Sequence, residues 1–263
     1  MKTETLKLEW PEKDVALVTL LRGKEMNTLT QALLSEFNQA LDIMVEQRCR
    51  ALIITGTGRA FCCGAHLAYF AEDQMDGDVR FRLRDDYLDL IARLFDRLEA
   101  VPFPVIAAIN GYALGGGCEM ALSCDFRIMS KETCIGLPEV RLGALAGAGG
   151  VQKLSRHVGR SKAMEWILLG SHVNAEESDR HGLLYKISEP GEEVIDALSL
   201  VQELKKQSPL AIMQSKRAIL TCEDIDLRSA RRFGLEALSM LIDSKDWVEG
   251  IAAFHAKRSP KFD

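Results

Sequence analysis

Two glycine-containing loops have the residue types and spacing that could place several backbone N–H groups around one small ligand. One loop spans residues 111–120, where three consecutive glycines and Glu119 follow a predicted strand and open a helix. The first N–H groups of a helix have no acceptor within it, so this loop can stabilise negative charge. The other loop, residues 59–67, follows a different predicted strand and can present N–H groups toward the same space. Two converging donors would form an oxyanion hole, although tight packing is the ordinary use of such glycine turns.

Several other catalytic motifs are absent from the sequence. Residues 56–61 lack the third glycine of a dinucleotide-binding loop, and no Gly-Lys-Ser/Thr follows the glycines at 115–117. The chain has neither a Gly-x-Ser-x-Gly elbow nor a His-Glu-x-x-His zinc motif. Cys62 and Cys63 are candidate nucleophiles, but no base can be identified for them, which favours buried, unreactive thiols. These absences argue against NAD, ATP, catalytic-triad and zinc-protease chemistry.

The composition is typical of a globular protein without a basic surface. The 263 residues carry 33 Lys and Arg against 38 Asp and Glu, a formal net charge of −5, which argues against nucleic-acid binding. Seven scattered cysteines and five dispersed histidines predict free thiols in a reducing compartment and no metal site. The first twenty residues lack the apolar core of a signal peptide, so a cytoplasmic location is expected. The uncharged stretch 100–118 is broken by prolines and glycines, and no membrane association is expected.

Apolar periodicity predicts strands that alternate with helices in the N-terminal part of the chain. The predicted strands are residues 5–10, 15–21, 51–55 and 105–109. The predicted helices are residues 31–47, with Thr30 as the N-cap, and residues 79–98. The acidic segment 72–78 is interpreted as a solvated turn, with a mobile lid as the alternative.

From residue 191 onward the pattern predicts helices alone. One of them begins at Ser208-Pro209, a hydroxyl N-cap followed by proline at the first helical position. Amphipathic helices follow at residues 227–242 and 246–256. This region could pack on another subunit or on the chain's own sheet. The whole pattern indicates an α/β fold with a helical C-terminal region.

The combined motifs resemble those of the crotonase, or enoyl-CoA hydratase/isomerase, superfamily. The resemblance runs from the Met-Asn-Thr-Leu segment at 26–29 to the C-terminal segment 249–262. Between them it rests on residues 59–67, 110–125, 136–143 and 147–154. It implies a ββα spiral core, residues 1–200, and a C-terminal helical oligomerisation region, residues 201–263. It further implies a homotrimer or a dimer of trimers.

The reaction implied by the resemblance is reversible addition of water to the C2–C3 double bond of a 2-enoyl-CoA thioester, a step of fatty acid metabolism. By matching motifs, the oxyanion hole would be formed by the N–H groups of Ala65 and Gly116. Glu119 would hold and activate water, and Glu139, 20 residues later, would donate a proton to C2. No cofactor or metal is expected, because coenzyme A is part of the substrate.

The resemblance also implies where coenzyme A lies and where this chain departs from the family. The CoA-binding loop would consist of Ala65, His66, Leu67 and Ala68. Lys24 and Lys257 are candidate phosphate partners, each with a solvated surface role as the alternative. His66 replaces the usual Asp and either tunes binding near CoA or caps its turn. Ala146 stands where many relatives have proline, which would loosen that turn. Residues 69–100, a region that commonly shapes the acyl pocket in the family, are slightly longer than is typical, so the acyl chain length stays open.

Other functions of the same scaffold are alternatives, namely double-bond isomerase, decarboxylase and acyl-CoA hydrolase. Many isomerases of the family keep a carboxylate only at the position of Glu139, so Glu119 favours hydration. An acyl-CoA sensor or an RNA-binding protein represents a different class. The carboxylate pair argues against the sensor, and the net acidity argues against RNA binding.

Overall fold

A computed structural model describes residues 3–70 and 79–262, so the acidic segment predicted as a turn or lid lies outside the described residues. The described residues form ten strands in two sheets. The strands are β1 (Leu6–Glu12), β2 (Val15–Leu20), β3 (Ala51–Gly56), β4 (Ala60–Cys62), β5 (Val105–Ile109), β6 (Tyr112–Leu114), β7 (Phe126–Ser130), β8 (Cys134–Gly136), β9 (Val173–Asn174) and β10 (Lys186–Ser188). The larger sheet has the order β1-β2-β3-β5-β7-β10, and the smaller sheet has the order β4-β6-β8-β9.

Helices connect these strands and then form the C-terminal part of the chain. The α-helices are α1 (Gln31–Glu46), α2 (Val79–Leu83), α3 (Asp89–Ala100), α4 (Gly116–Leu122), α5 (Gly150–Val158), α6 (Arg160–Leu168), α7 (Ala175–Arg180), α8 (Glu193–Lys205), α9 (Pro209–Cys222), α10 (Leu227–Ser239) and α11 (Lys245–His255). Short 3₁₀ helices lie at Gly23–Glu25, Leu67–Phe70 and Glu139–Leu142. The predicted N-caps are confirmed: Thr30 accepts from the Leu33 N–H, and Ser208 accepts from the Ala211 N–H.

The core repeats one unit of two strands and a helix, which confirms the expected fold class. In three successive units, β3 and β4, β5 and β6, and β7 and β8 each give one strand to the larger sheet and one to the smaller. The pairs β4–β6 and β6–β8 are parallel neighbours. The segments that follow β4, β6 and β8 therefore leave the smaller sheet side by side at one edge. This edge carries both glycine loops and both glutamates singled out in the sequence.

The central strands are buried on both faces, which explains their uninterrupted apolar sequence. Along β3, Leu52 and Ile54 belong to the main hydrophobic cluster, whereas Ile53 faces the second cluster. That second cluster is completed by Leu200 and Val201 of α8. Helix α8 thus crosses the predicted domain boundary at residue 200 while packing on the larger sheet. The boundary itself stays a prediction.

Some predicted elements differ from the observed ones; for example, α10 ends at Ser239, three residues before the predicted end at 242. The predicted helix at residues 79–98 contains a π-helical turn, Arg84–Leu88, between α2 and α3. Strand β1 continues through Pro11, beyond the predicted end at residue 10. Proline is tolerated there because β1 is an edge strand, and its pairing with β2 shifts register between Glu9 and Glu12. Strands β7 and β10 of the larger sheet were not predicted. The short strands of the smaller sheet were not predicted either, because two or three residues carry no readable period.

The C-terminal helices expose many apolar side chains in the single chain. Leu227 is 84% exposed and Phe254 is 78% exposed. Large apolar residues of α10 and α11 that are also exposed are Leu235, Leu238, Trp247, Val248 and Ile251. None of the helices in the described part of the chain is long and apolar enough to cross a lipid bilayer.

Candidate active site

The two glycine loops meet at the edge of the smaller sheet. Gly64 has φ +80° and Gly115 has φ +55°, conformations that an L-residue adopts only with strain. A β-carbon at Gly64 would lie 2.6 Å from the Gly116 nitrogen, and one at Gly116 would lie 3.6 Å from the Ala65 nitrogen. Only glycines allow this approach. The backbone nitrogens of Ala65 and Gly116 are therefore neighbours.

Both of these N–H groups are available to a ligand. Gly116 is the first residue of α4, so its N–H has no acceptor within the helix. Neither the Ala65 nor the Gly116 N–H has a hydrogen-bond acceptor among the described residues. The arrangement can bind an oxygen atom that develops negative charge.

Glu119 lies in the first turn of α4 and is 4% exposed. Its Oε1 accepts hydrogen bonds from the N–H groups of Ala148, at 2.8 Å, and Gly150, at 2.9 Å. Gly150 begins α5, so the carboxylate also faces the positive end of a helix dipole. Burial raises the pKa of Glu119, while these two donors and the charge of Lys153 oppose the increase. Both hydrogen bonds fall on Oε1, and Oε2 has no partner in residues 3–70 or 79–262.

Glu139 begins the 3₁₀ helix that follows β8 and faces the Gly115 loop. A β-carbon at Gly115 would lie 2.9 Å from Glu139 Oε1. Its Oε2 is buried and has no hydrogen-bond partner within the described parts of the chain. Burial is the main cause that raises the pKa of Glu139 to about 7, and the negative charge of Glu119 adds to it. A carboxyl group with this pKa can exchange a proton near neutral pH.

The predicted CoA loop is anchored to the 26–29 segment. Leu29 N–H donates to Gly64 O, and the Cys63 N–H donates to Met26 O. The imidazole Nδ1 of His66 lies 3.0 Å from Thr28 Oγ1. His66 therefore ties its own turn to this segment, while the neighbouring Leu67 and Ala68 are exposed.

The two predicted lysines are surface residues. Lys24 is exposed on the 3₁₀ helix Gly23–Glu25, just before the segment that anchors the CoA loop. Lys257 is exposed after α11, and no contact in the described structure joins it to that loop. Ala65, His66, Gly116, Glu119 and Glu139 are thus brought together, and the phosphate-binding role of both lysines stays a prediction.

Sequence reasoning missed the groups that hold these residues in place. Ala148 and Gly150 lie in a segment that supports the family resemblance, but nothing local shows that their N–H groups reach Glu119. Lys153, one turn further along α5, bonds to Ser123 Oγ at 2.8 Å and to Glu99 at 2.6 Å. Tyr87 falls within the helix predicted at residues 79–98 and was not singled out there as a functional residue. A tyrosine at an apolar helix position needs a hydrogen-bond partner for its buried hydroxyl, and this need was the sequence signal that could have indicated its role.

The cysteines are all free, which confirms the expectation of thiols. Burial raises the pKa of Cys62 to about 12 and that of Cys63 to about 11. Both thiols are therefore protonated at neutral pH and poorly suited to act as nucleophiles. In the described ranges, no group of three or more His, Cys, Asp or Glu side chains could hold a metal ion.

A cavity of about 560 Å³ lies away from the two glutamates. It is found between α9 and the C-terminal end of α4, where Leu122, His157 and Lys216 contribute to its lining. Neither Glu119 nor Glu139 lines it. Its charged groups are paired: Lys216 bonds to Asp125 at 2.8 Å, and Arg156 bonds to Glu223 at 2.6 Å. This cavity is separate from the site formed by the glycine loops.

Comparison with known proteins agrees with this geometry. A sequence model of the enoyl-CoA hydratase/isomerase family matches residues 11–263. The chain is 37% identical, over 94% of its length and 86% of the relative's, to the probable mitochondrial enoyl-CoA hydratase of Dictyostelium discoideum. It is 36% identical, over 94% of its length and 93% of the relative's, to the short-chain-enoyl-CoA hydratase of Clostridium acetobutylicum. The crystal structure of the enoyl-CoA hydratase from Bacillus anthracis superposes with a TM-score of 0.91 at 33% identity, covering 98% of this chain and 99% of that one.

The chain belongs to the enoyl-CoA hydratase/isomerase family of the crotonase superfamily. Its similarity to full-length hydratases supports enoyl-CoA hydration as its activity.

Proposed function

We propose that the chain hydrates 2-enoyl-CoA thioesters through an oxyanion hole formed by Ala65 and Gly116 and through proton transfers divided between Glu119 and Glu139. The observation that carries this mechanism is the unequal hydrogen bonding of two glutamates, one buried and one half-buried, beside two backbone donors. Glu119 Oε1 receives two N–H bonds, whereas Glu139 Oε2 has no partner among the described residues. This difference supports distinct protonation states for two carboxyl groups that act on one water.

In the proposed reaction, the oxygen of water forms a bond to C3 of the enoyl thioester. The π electrons move from C2–C3 toward the thioester carbonyl, whose oxygen gains negative charge. The N–H groups of Ala65 and Gly116 donate to that oxygen, and each donor is expected to contribute a factor on the order of 10² to 10³ in rate.

The two glutamates supply and remove the protons. Ionised Glu119 holds the water and accepts its proton on Oε2, since Oε1 is already engaged by Ala148 and Gly150. Protonated Glu139 donates to C2, which completes the 3-hydroxyacyl-CoA product. Dehydration follows the same steps in reverse. The chemistry requires no redox cofactor or metal ion.

The remaining parts of the proposal concern binding, assembly and location. Coenzyme A is proposed to lie along residues 65–68, with Lys24 and Lys257 as phosphate partners. A homotrimer or a dimer of trimers is supported by the exposed apolar side chains of α10 and α11, because a large apolar surface is typical of a protein interface. The proposed cytoplasmic location is supported by the seven free cysteines, which are typical of a reducing compartment.

The decisive experiment follows loss of the conjugated enoyl-thioester absorbance with a panel of 2-enoyl-CoA substrates. Wild-type protein, Glu119→Gln and Glu139→Gln are compared, and product mass is measured in parallel. We expect wild type to add one water to at least one substrate and both variants to be nearly inactive. A product of unchanged mass with a shifted double bond would instead indicate isomerase activity. Full activity in either variant would overturn the assigned roles.

A further inference from the structure

The π-helical turn between α2 and α3 carries a buried tyrosine whose hydroxyl reaches the CoA loop. Tyr87 is 2% exposed. Its hydroxyl accepts a hydrogen bond from the His66 N–H at 2.6 Å and donates one to Leu29 O. A single side chain thus joins two segments that are paired by the isolated parallel bridge between Leu29 and Ala65.

Both partners of Tyr87 lie next to a proposed oxyanion donor. His66 directly follows Ala65, whose N–H is one donor. Leu29 lies against the other, because a β-carbon at Gly116 would be only 3.0 Å from Leu29 Cδ1. Movement of either partner would change the distance between the two donors. From this geometry, and resting on the proposed function above, we infer that Tyr87 is a positioning residue that sets the alignment of the oxyanion hole.

The hydroxyl is well suited to this role because it can accept and donate at the same time. Burial raises the pKa of Tyr87 to about 12, so the hydroxyl keeps its proton at neutral pH. The ring is fixed by an edge-to-face contact with Tyr69, at 4.8 Å between ring centroids. Such π-helical turns occur frequently at functional sites, since the extra residue redirects one side chain.

The test is the Tyr87→Phe variant, which keeps the ring and removes both hydrogen bonds. The matched control is Tyr185→Phe, which removes the hydroxyl of a half-exposed tyrosine that contacts Phe126. Hydration kinetics are measured together with the infrared carbonyl stretch of a bound saturated acyl-CoA labelled with ¹³C at the thioester. The carbonyl stretch reports polarisation by the oxyanion donors directly.

We expect kcat of Tyr87→Phe to fall about tenfold, less than for complete loss of one donor, with little change in KM. The carbonyl stretch of the bound thioester should move back toward its value in free solution. The pH profile should be unchanged, because neither glutamate contacts Tyr87. Tyr185→Phe should match wild type in each measurement.

Several outcomes would overturn the inference. Wild-type kcat and a wild-type carbonyl stretch in Tyr87→Phe, with only a lower melting temperature, would assign Tyr87 a purely structural role. If Tyr87→Phe fails to fold, amide hydrogen exchange of the wild-type protein decides: a His66 N–H exchanging as fast as an unbonded amide would contradict the inference. An unshifted carbonyl stretch in wild type would instead reject the proposed oxyanion hole itself.

Discussion

Glu119 and Glu139 follow neighbouring strands of the smaller sheet, yet the chain holds their carboxyl groups in different ways. Glu119 follows β6 and accepts from the N–H of Gly150, the first residue of α5, and from that of Ala148 in the preceding loop, 31 and 29 residues away. Glu139 follows β8, lies over Gly115 and has a buried oxygen without a partner among the described residues. Burial raises the pKa of both, but backbone donors oppose that increase mainly at Glu119. Hydrogen-bond donors, rather than burial alone, therefore distinguish the proposed proton acceptor from the proposed proton donor.

The largest expected effect comes from removing either carboxylate. Glu119→Gln and Glu139→Gln should each lower kcat by about 10² to 10⁴, because each removes a proton transfer from the same transition state. The double variant should lose little beyond the worse single variant, since residues that act as a unit are not additive. Steady-state hydration assays check this. Fully additive losses would contradict a shared transition state.

A second prediction concerns the contact between Gly115 and Glu139. Gly115→Ala introduces a β-carbon 2.9 Å from Glu139 Oε1 at a positive φ, so it should displace this carboxyl group. We expect kcat/KM to fall about 10- to 100-fold. Gly159→Ala is the control, because Gly159 has φ +78° but no atom of the described residues lies within 4 Å of an added β-carbon.

The control separates backbone strain from displacement of the carboxyl group. Gly159→Ala should destabilise the fold by about 1 to 3 kcal/mol and leave kcat/KM near wild type. Thermal unfolding and hydration assays measure the two effects. Equal kinetic losses in both variants would attribute the Gly115→Ala effect to strain alone.

A third prediction concerns the dependence of stability on pH. A raised pKa means that folded Glu139 binds its proton more tightly than the unfolded chain does, so stability is lost as pH rises from about 4.5 toward about 7. Glu139→Gln has no carboxyl group at this position and therefore does not lose this stability as pH rises. The free energy of unfolding of Glu139→Gln minus that of wild type should therefore be larger at pH 8 than at pH 5. The expected increase is on the order of 1 kcal/mol, after allowance for the partial exposure of Glu139. Denaturant unfolding at both pH values measures it, and a difference independent of pH would contradict the raised pKa.

The same pKa predicts the pH dependence of hydration. Glu139 must carry a proton to donate to C2, so kcat/KM should decrease as pH rises through about 7. This decrease, the basic limb of the pH profile, should be absent from the residual activity of Glu139→Gln. A basic limb that persists unchanged in the variant would assign it to another group.

The smallest expected effect is at Lys153, whose charge lowers the pKa of Glu119. Lys153→Gln should raise that pKa, so the acidic limb of the kcat/KM profile should move to higher pH while the basic limb stays. Lys131→Gln serves as the control, because Lys131 is exposed and its ion pair in the described structure is with the surface residue Glu189. A profile identical to wild type would show that Lys153 supports only the packing around Ser123 and Glu99.

Much of the fold and part of the site could be predicted from the sequence. The apolar runs at β3 and β5 and the caps at Thr30 and Ser208 are local patterns, and the structure contains them at nearly the predicted positions. The short strands of the smaller sheet had no such pattern. Their hydrogen-bond partners are strands from other parts of the chain, and the parallel strands β4, β6 and β8 bring the two glycine loops to one edge.

The sequence by itself determined the alternating strands and helices of the N-terminal part, the two glycine turns and the two glutamates, because periodicity and motifs reside in neighbouring residues. Only the tertiary structure decided which groups hold them. Ala148 and Gly150 hold Glu119 from the start of α5 and the loop before it, and Tyr87 reaches Leu29 from 58 residues away. Hydrogen bonds between distant segments depend on how the sheets and helices pack, and that packing leaves no periodic pattern in the sequence.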